Sequence, residues 1–349
     1  MTEVYDVTIV GGGPAGLYSA FYSGLRGMKT KLIEYHSKLG GKVLLYPEKM
    51  IWDVGGQPPI LGEQFAKQLV QQALTFDPTV CLNTKVDLIE KDPGSGFVIS
   101  TNDGQKHVSK SIIMANGSGI YQPERLEIEG AAKYESTNLH YTVQSLQPFR
   151  GKTVLISGGG NAAIDWAVEL LEFAKQVILI YRKEQLSAHE AQVQLLENSS
   201  ARLLFNTSIE SLISNHDSAS IEQVVVKNHV TGEQTTLNID HMIVNHGYHR
   251  DASLSFAEEI QVRTKDDDYV EGTALCETSE PGIFAAGDIV SYEGKVNLLV
   301  GAFQDAVHAV NSAKQFIEPS AQKFGMVSSH NEVFKERNKS IMKQMLSTI

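Results

Sequence analysis

The chain has 349 residues, with 41 acidic against 30 basic side chains, and its net charge of −11 argues against nonspecific nucleic-acid binding. A composition 42% hydrophobic and 20% charged is that of a soluble globule, and the length favours two domains. No apolar run is long enough to span a bilayer, and the two cysteines, Cys81 and Cys276, form no C-x-x-C pair, which excludes a disulfide scaffold and a local redox dithiol.

The first strand is expected to begin almost at Met1, which leaves no room for a signal peptide, so a cytoplasmic location is expected. Val7 to Val10 is a β-branched run that reads as a buried parallel strand. Gly11-x-Gly13-x-x-Gly16 follows at once, then a helix-period segment (Leu17, Ala20, Phe21, Leu25) and a second apolar run, Thr30 to Ile33, ending on Glu34. Gly11 permits a tight turn, Gly13 lets a diphosphate approach the backbone, and Gly16 allows close helix–strand packing. The helix N-terminus offers free N–H groups and a partial positive charge to that diphosphate. Glu34 stands where a carboxylate accepts hydrogen bonds from an adenosine ribose. The stretch predicts a dinucleotide site.

Residues 39–60 carry Gly40-Gly41, Gly55-Gly56 and Pro58-Pro59, and predict a loop-rich connection rather than a strand or helix. Tyr46 and Trp52 in it either offer flat faces to a ring or simply pack. Leu61 to Leu74 reads as an amphipathic helix, and residues 80–113 as several short strands with turns at Asp92-Pro93-Gly94 and Asn102-Asp103-Gly104. Ser111 to Gly117 is a buried strand running into a glycine, and it has an echo at His241 to Gly247. Two related units are expected to end this way, with the chain crossing between them near 118–122 and 248–251.

The opening motif returns at Thr153: a β-branched strand, then Gly158-x-Gly160-x-x-Ala163, a helix, and the strand Val177 to Ile180. Gly11 to Glu34 spans 23 positions, and so does Gly158 to Tyr181. Here the acid is replaced by Tyr181-Arg182-Lys183. Guanidinium and ammonium groups pair with a 2′-phosphate that a carboxylate repels, although a single basic pair also serves simply to solvate a strand end. The economical assignment is FAD in the first cradle and NADPH in the second.

Ala188-His189-Glu190 is expected to begin a helix, and residues 201–245 are strand-rich. The histidines are scattered singly and no His/Cys cluster occurs, so no metal is expected. Pro281 to Asp288 is another buried strand closing on Gly-Asp, where the Asp288 carboxylate is placed to accept from a polyol or simply to form a turn. A helix is expected over about residues 301–316, its N-terminal amides suited to electron density on a reduced flavin ring. The tail from Lys323 carries five basic residues against Glu332 and Glu336, and Ile341, Met342, Met345 and Leu346 fall at helical spacing.

Taken together, GGGPAGL (11–17), LGGK…LYPEK (39–49), NLHY (138–141), GGGNAAIDWA (158–167), AHE (188–190), FAAGDI (284–289) and YEGKVNL (292–298) resemble the thioredoxin-reductase-like ferredoxin–NADP+ reductases over nearly the full length. The resemblance implies an α/β fold of two Rossmann-like three-layer ββα dinucleotide-binding domains. It is that of the pyridine nucleotide-disulfide oxidoreductases without the redox dithiol, since Tyr141 to Leu146 holds no cysteine where a thioredoxin reductase needs its C-x-x-C. A discontinuous FAD-binding domain (1–117 and 248–349) would flank an NADP(H)-binding domain (118–247). FAD would contact Gly11, Gly13, Pro14, Ala15, Gly16, Glu34, Gly41, Lys42, Tyr46, Val86, Tyr121 and Asp288, with Tyr46 stacked on the isoalloxazine. NADPH would use Gly158, Gly160, Asn161, Ala162, Ala163, Arg182 and Lys183. Ser187 stands where relatives often carry a further arginine. In this family one subunit's tail covers the flavin of its partner with a ring, and His330 is the nearest candidate. The implied activity is electron transfer from NADPH to ferredoxin or flavodoxin through FAD in a homodimer, with no side-chain acid or base in the hydride step. The rivals are an NADPH-dependent flavin reductase feeding a separate thiol or disulfide partner, and a flavin-bound redox sensor.

Overall fold

The computed structural model describes residues 3–94, 96–217, 219–251, 254–265 and 269–346. The chain divides into two compact units: residues 1–44, 49–120 and 251–349 form one, and residues 45–48 with 121–250 form the other.

In the first unit the β-branched opening run becomes the strand Val4–Val10, parallel to Thr30–Ile33 on one side and to Lys106–Met114 on the other. Thr79–Cys81 extends the parallel array beyond Thr30–Ile33, and Ile283–Ala285 joins it beside Ile112 to Met114. Side chains alternate across a strand, so both faces must find cover. Ile9, Leu32 and Ile113 face the helices Pro14–Leu25, Gly62–Ala73 and Leu299–Ile317, where Leu17, Leu69, Ala309 and Val310 meet them. Val10, Ile33, Ile112 and Met114 point the other way, against Ile89, Phe97 and Ile99 of the antiparallel strands Val86–Asp92 and Gly96–Thr101. The result is three layers: helices, parallel sheet and antiparallel meander.

The second unit repeats this plan. Its parallel sheet runs in the order Leu139–His140, His241–Val244, Thr153–Ser157, Gln176–Ile180 and Arg202–Leu204. Val154, Ile156, Leu179 and Ile243 pack on Ile164, Ala167 and Leu170 of the helix Asn161–Leu170. Leu155, Ile178, Ile180 and Met242 pack on the antiparallel strands Thr207–Ser214, Ile221–Asn228 and Gln234–Asn238 through Val224, Val226 and Leu237. The repeat read from the two glycine motifs therefore extends to the layers themselves.

Three local expectations are corrected. The glycine- and proline-rich stretch 39–60 is not wholly loop: Gly41–Leu45 is a 3-10 turn, and Met50–Ile51 pairs antiparallel with Ile60–Leu61, because apolar residues flank each side of the Gly55-Gly56 turn. The helix expected from residue 301 begins at Leu299 and ends at Ile317. Ala188 and His189 precede their helix, which runs over Glu190–Glu197. The tail does form a helix, Lys335–Leu346, but Ile341, Met342, Met345 and Leu346 are exposed on it. No helix among the described residues is long and apolar enough to cross a membrane.

Candidate functional site

Each parallel sheet ends in a glycine loop closed by main-chain atoms. In the first unit the Gly11 N–H donates to the Ile33 carbonyl at 2.8 Å, and the Ala115 N–H donates to that of Val10 at 2.8 Å. Gly11 has φ +109°, and a Cβ on it would lie 2.5 Å from the Ala115 carbonyl oxygen, so only glycine fits. A Cβ on Gly16 would overlap the Gly11 carbonyl oxygen, which is how the third glycine brings the helix onto the strand. The helix opens with Gly13 as cap and Pro14 in its first turn, and has neither a side-chain cap nor an acidic residue there. Its leading N–H groups and its positive end therefore face outward, as an anion site requires. Ala15 is buried under this turn.

A second loop folds over the first. The Gly40 N–H donates to the Gly12 carbonyl at 2.8 Å, and a Cβ on Gly41 (φ +59°) would stand 2.6 Å from the Gly13 Cα. Glu34 is buried, and its carboxylate accepts the Gly12 N–H at 2.6 Å and the His36 N–H at 2.7 Å. A carboxylate has about four acceptor positions, so two backbone bonds fix its orientation and leave capacity for a hydroxyl. Lys42 reaches the Asp288 carboxylate at 3.1 Å and the Ser118 hydroxyl at 3.0 Å, which brings together residues 246 positions apart in the chain. Both members of that pair are about 45% exposed.

Asp288 sits in the turn Gly287–Ile289, and this turn is held from below by a fully buried carboxylate. Asp305 accepts the Gly287 N–H at 3.0 Å and the Tyr292 hydroxyl at 2.6 Å, and is ion-paired with Lys295. Burial, reinforced by Asp305, pushes the Tyr292 phenol and the Cys276 thiol well above their ordinary pKa values.

The second unit builds the same cradle with different tips. The Gly158 N–H donates to the Ile180 carbonyl at 3.0 Å, the Asn245 N–H donates to that of Ser157 at 2.8 Å, and a Cβ on Gly158 would overlap the Asn245 carbonyl oxygen. Gly160 caps a helix whose first turn, Asn161 and Ala162 leading to buried Ala163, likewise lacks a side-chain cap and an acid. The Ser187 N–H donates to the Gly159 carbonyl at 2.7 Å, as Gly40 does to Gly12. Where Glu34 touches Gly12, the Tyr181 ring covers Gly159. Arg182 and Lys183 follow it, exposed and without an ion pair among the described residues.

Of the other residues singled out from the sequence, Val86 has its side chain buried in the cluster containing Val10 and Ile33. Tyr46 belongs to the second unit, where its ring lies 6.2 Å from that of Trp166 at 26°, while the Glu48 carboxylate accepts the Leu146 N–H at 2.7 Å. His330 is exposed in the turn Ser328–His330, its Nδ1 3.3 Å from the Ser329 hydroxyl. The Tyr121 side chain lies outside the described residues.

Three residues at the cradles were missed. Asn116 and Asn245 each hold a buried Oδ1 with no hydrogen-bond partner among the described residues, beside Gly11 and Gly158 respectively. Unmet buried acceptors at the mouths of two phosphate-binding loops fit the hydroxyl and amide groups of dinucleotides. His246 places Nε2 2.8 Å from the Ser157 hydroxyl. The protein packed around this ring holds its pKa below the ordinary value, the Arg182 guanidinium adds to that effect, and Glu124 opposes it. The repeat of the strand ends at 111–117 and 241–247 was the available signal for all three.

Two glycine cradles on two parallel sheets define a two-dinucleotide oxidoreductase. The chain belongs to the pyridine nucleotide-disulphide oxidoreductase family, whose model matches residues 5–313. It is 60% identical over 346 residues to ferredoxin--NADP reductase 3 of Lysinibacillus sphaericus and 57% identical over 344 residues to ferredoxin--NADP reductase 1 of Bacillus anthracis, covering 99% of both chains each time. Among solved structures it is similar to the Lactococcus lactis thioredoxin reductase, with a TM-score of 0.68, 27% identity, and 90% of this chain and 99% of that one covered. The family and fold implied by the resemblance are thus met.

Proposed function

We propose that this chain is a ferredoxin–NADP+ reductase: an FAD enzyme that takes a hydride from NADPH and releases single electrons to ferredoxin or flavodoxin. The observation that carries the reading is the unlike chemistry of two otherwise equivalent cradles, a carboxylate at Glu34 and the cationic pair Arg182 and Lys183 beyond Tyr181. The names of the relatives that match the whole chain support it.

FAD is assigned to the cradle of Gly11, Gly13, Pro14, Ala15, Gly16, Glu34 and Gly41, with Lys42, Asp288 and Asn116 beside it. NADPH is assigned to Gly158, Gly160, Asn161, Ala162 and Ala163, with Arg182 and Lys183 toward its 2′-phosphate. The flavin, when bound, converts between the two-electron chemistry of nicotinamide and the one-electron chemistry of the acceptor. The work of the chain is positioning: helix amides neutralise the diphosphates, and strand-tip charges choose between the adenosines. Tyr46 is assigned to stack on the isoalloxazine. The chain is further assigned to the cytoplasm as a homodimer, and the exposed apolar side chains of the helix Lys335–Leu346 favour a second copy as their cover.

The purified protein should be yellow and bleached preferentially by NADPH over NADH, and should then sustain NADPH oxidation with ferredoxin or flavodoxin. A colourless protein that refuses added FAD and ignores NADPH overturns the reading. Turnover only with a thioredoxin-like partner favours the flavin reductase, and binding without turnover favours the sensor.

A further inference from the structure

The two cradles differ at a second point besides the strand tips. The residue before the terminal glycine of each strand-end motif is Asn116 in the first unit and His246 in the second. We propose that His246 is a proton-linked positioning residue of the second cradle, whose imidazole takes up a proton when the phosphates of NADP(H) settle on Gly158–Ala163 and Arg182. The inference rests on the assignment of NADPH to this cradle.

His246 is tied to the glycine loop through its ring and through the residue before it. Ser157, which directly precedes Gly158, holds the ring through its hydroxyl at 2.8 Å, and Asn245 bonds the Ser157 carbonyl while its own carbonyl closes on Gly158. His246 is nonetheless an exposed residue. Among the described residues, Ser157 acts on it from its strand, Arg182 from the tip of Gln176–Ile180, and Glu124 through a carboxylate whose carbon lies 3.5 Å from the Cβ position of Gly247. Without a ligand, the Arg182 charge disfavours the imidazolium. A phosphate monoester carries a charge of about −1.5 to −2 near neutral pH, so once paired with Arg182 it reverses the sign of the field at the ring. The Ser157 hydroxyl can donate to the neutral ring or accept from the charged one, so its bond survives either state.

The sign follows from linkage. Binding that raises the His246 pKa from its depressed value takes up protons, so affinity is gained as pH falls through the pKa of the complex. The gain is complete below the pKa of the free enzyme, and at its steepest amounts to about tenfold per pH unit.

NADP+ is the probe, because it binds the flavin-loaded enzyme without being consumed. Calorimetric titration in two buffers of unlike ionisation enthalpy, from about pH 5.5 to 8 around the ordinary histidine pKa, gives the protons taken up per nucleotide. The nucleotide's own 2′-phosphate titrates near pH 6, so the comparison is with His246→Asn, which copies the residue at the equivalent place in the first unit. Wild type should take up about half to one proton more than the variant near pH 6.5, and its affinity should improve about three- to tenfold relative to the variant between about pH 8 and 6. Should His246→Asn fail to fold, His246→Gln keeps an amide within reach of Ser157. Equal proton counts and equal pH slopes, with NADP+ bound to both proteins, overturn the proposal. The absence of NADP+ binding in both proteins instead overturns the assignment of the nucleotide.

Discussion

Glu34 and Tyr181 occupy the same place in the two halves of the chain: each stands 23 positions beyond the first glycine of its loop, and each packs on the glycine directly after it, Gly12 or Gly159. Glu34 does so through a carboxylate bonded to the Gly12 N–H, and Tyr181 through a ring laid over Gly159. The ring gives no hydrogen-bond acceptor there and leaves Arg182 and Lys183 as the charged groups at the tip. Replacing both by alanine should lower the NADPH-to-NADH ratio of kcat/KM at least about tenfold, the loss of roughly one charge-assisted contact. An unchanged ratio assigns the pair to solvation alone.

The third motif position separates the two loops by a single methyl group. Gly16→Ala should cost more than about 2 kcal/mol and release the flavin, because its Cβ overlaps the Gly11 carbonyl oxygen. Ala163→Gly in the second loop should cost about 1 kcal/mol or less, the helix-propensity difference, and leave nucleotide affinity within a few-fold. Thermal melts and the absorbance ratio of flavin to protein read both.

Asp305→Ala leaves the Lys295 ammonium, whose side chain is 8% exposed, without its carboxylate and with the Tyr292 ring beside it. A loss of about 3–5 kcal/mol is expected, together with weaker flavin retention because the Gly287–Asp288 turn loses its support. The double variant Asp305→Leu, Lys295→Met should recover part of the stability but not the retention, since no buried charge remains while the Gly287 N–H still lacks its acceptor. Recovery of both reduces Asp305 to packing.

His140 and His241 face each other at 3.1 Å across adjacent strands. Burial, with help from His241, lowers the His140 pKa to about 4, and burial lowers that of His241 as well. Folded values below the unfolded one mean that this stability is present above about pH 6.5 and is lost as pH falls toward 4. The loss is at most about 1.4 kcal/mol per pH unit for each ring. Urea unfolding at pH values spanning this window should show a shallower acid loss for His140→Gln; identical slopes count against it.

Both thiols are held protonated. Burial raises the pKa of Cys276, which is fully enclosed, and of Cys81, which is half-buried. A disulfide reagent at about pH 8 should therefore find no fast-reacting thiol in the native protein and two after denaturation. A rapid native reaction would reopen direct dithiol chemistry.

What the sequence revealed is what local rules enforce. The glycines at 11, 16 and 158 are demanded by backbone approach, and the alternation in Val4–Val10 and Thr153–Ser157 by a sheet covered on both faces. The layers were legible for that reason. Lys42 with Asp288, Asp305 with Lys295 beneath Gly287, and Tyr46 with Trp166 depend on the whole fold bringing distant segments together, and no spacing rule reaches them. Val86 is a flavin neighbour by resemblance alone, and alternation along its strand turns its side chain into the core. Asn116, Asn245 and His246 lay inside a repeat already noticed, but only the unmet acceptors and the Ser157 bond distinguish them from ordinary strand ends.

Ala115 and Asn245 meet the first glycine of their loops through carbonyl oxygens, atoms that no substitution removes. The close approach is therefore the same whether Ala115 or Asn245 stands there, while the hydrogen at Gly11 and Gly158 is fixed. The main-chain frame of the loop is thus common to both halves, and the side chains set on it decide which coenzyme each one holds.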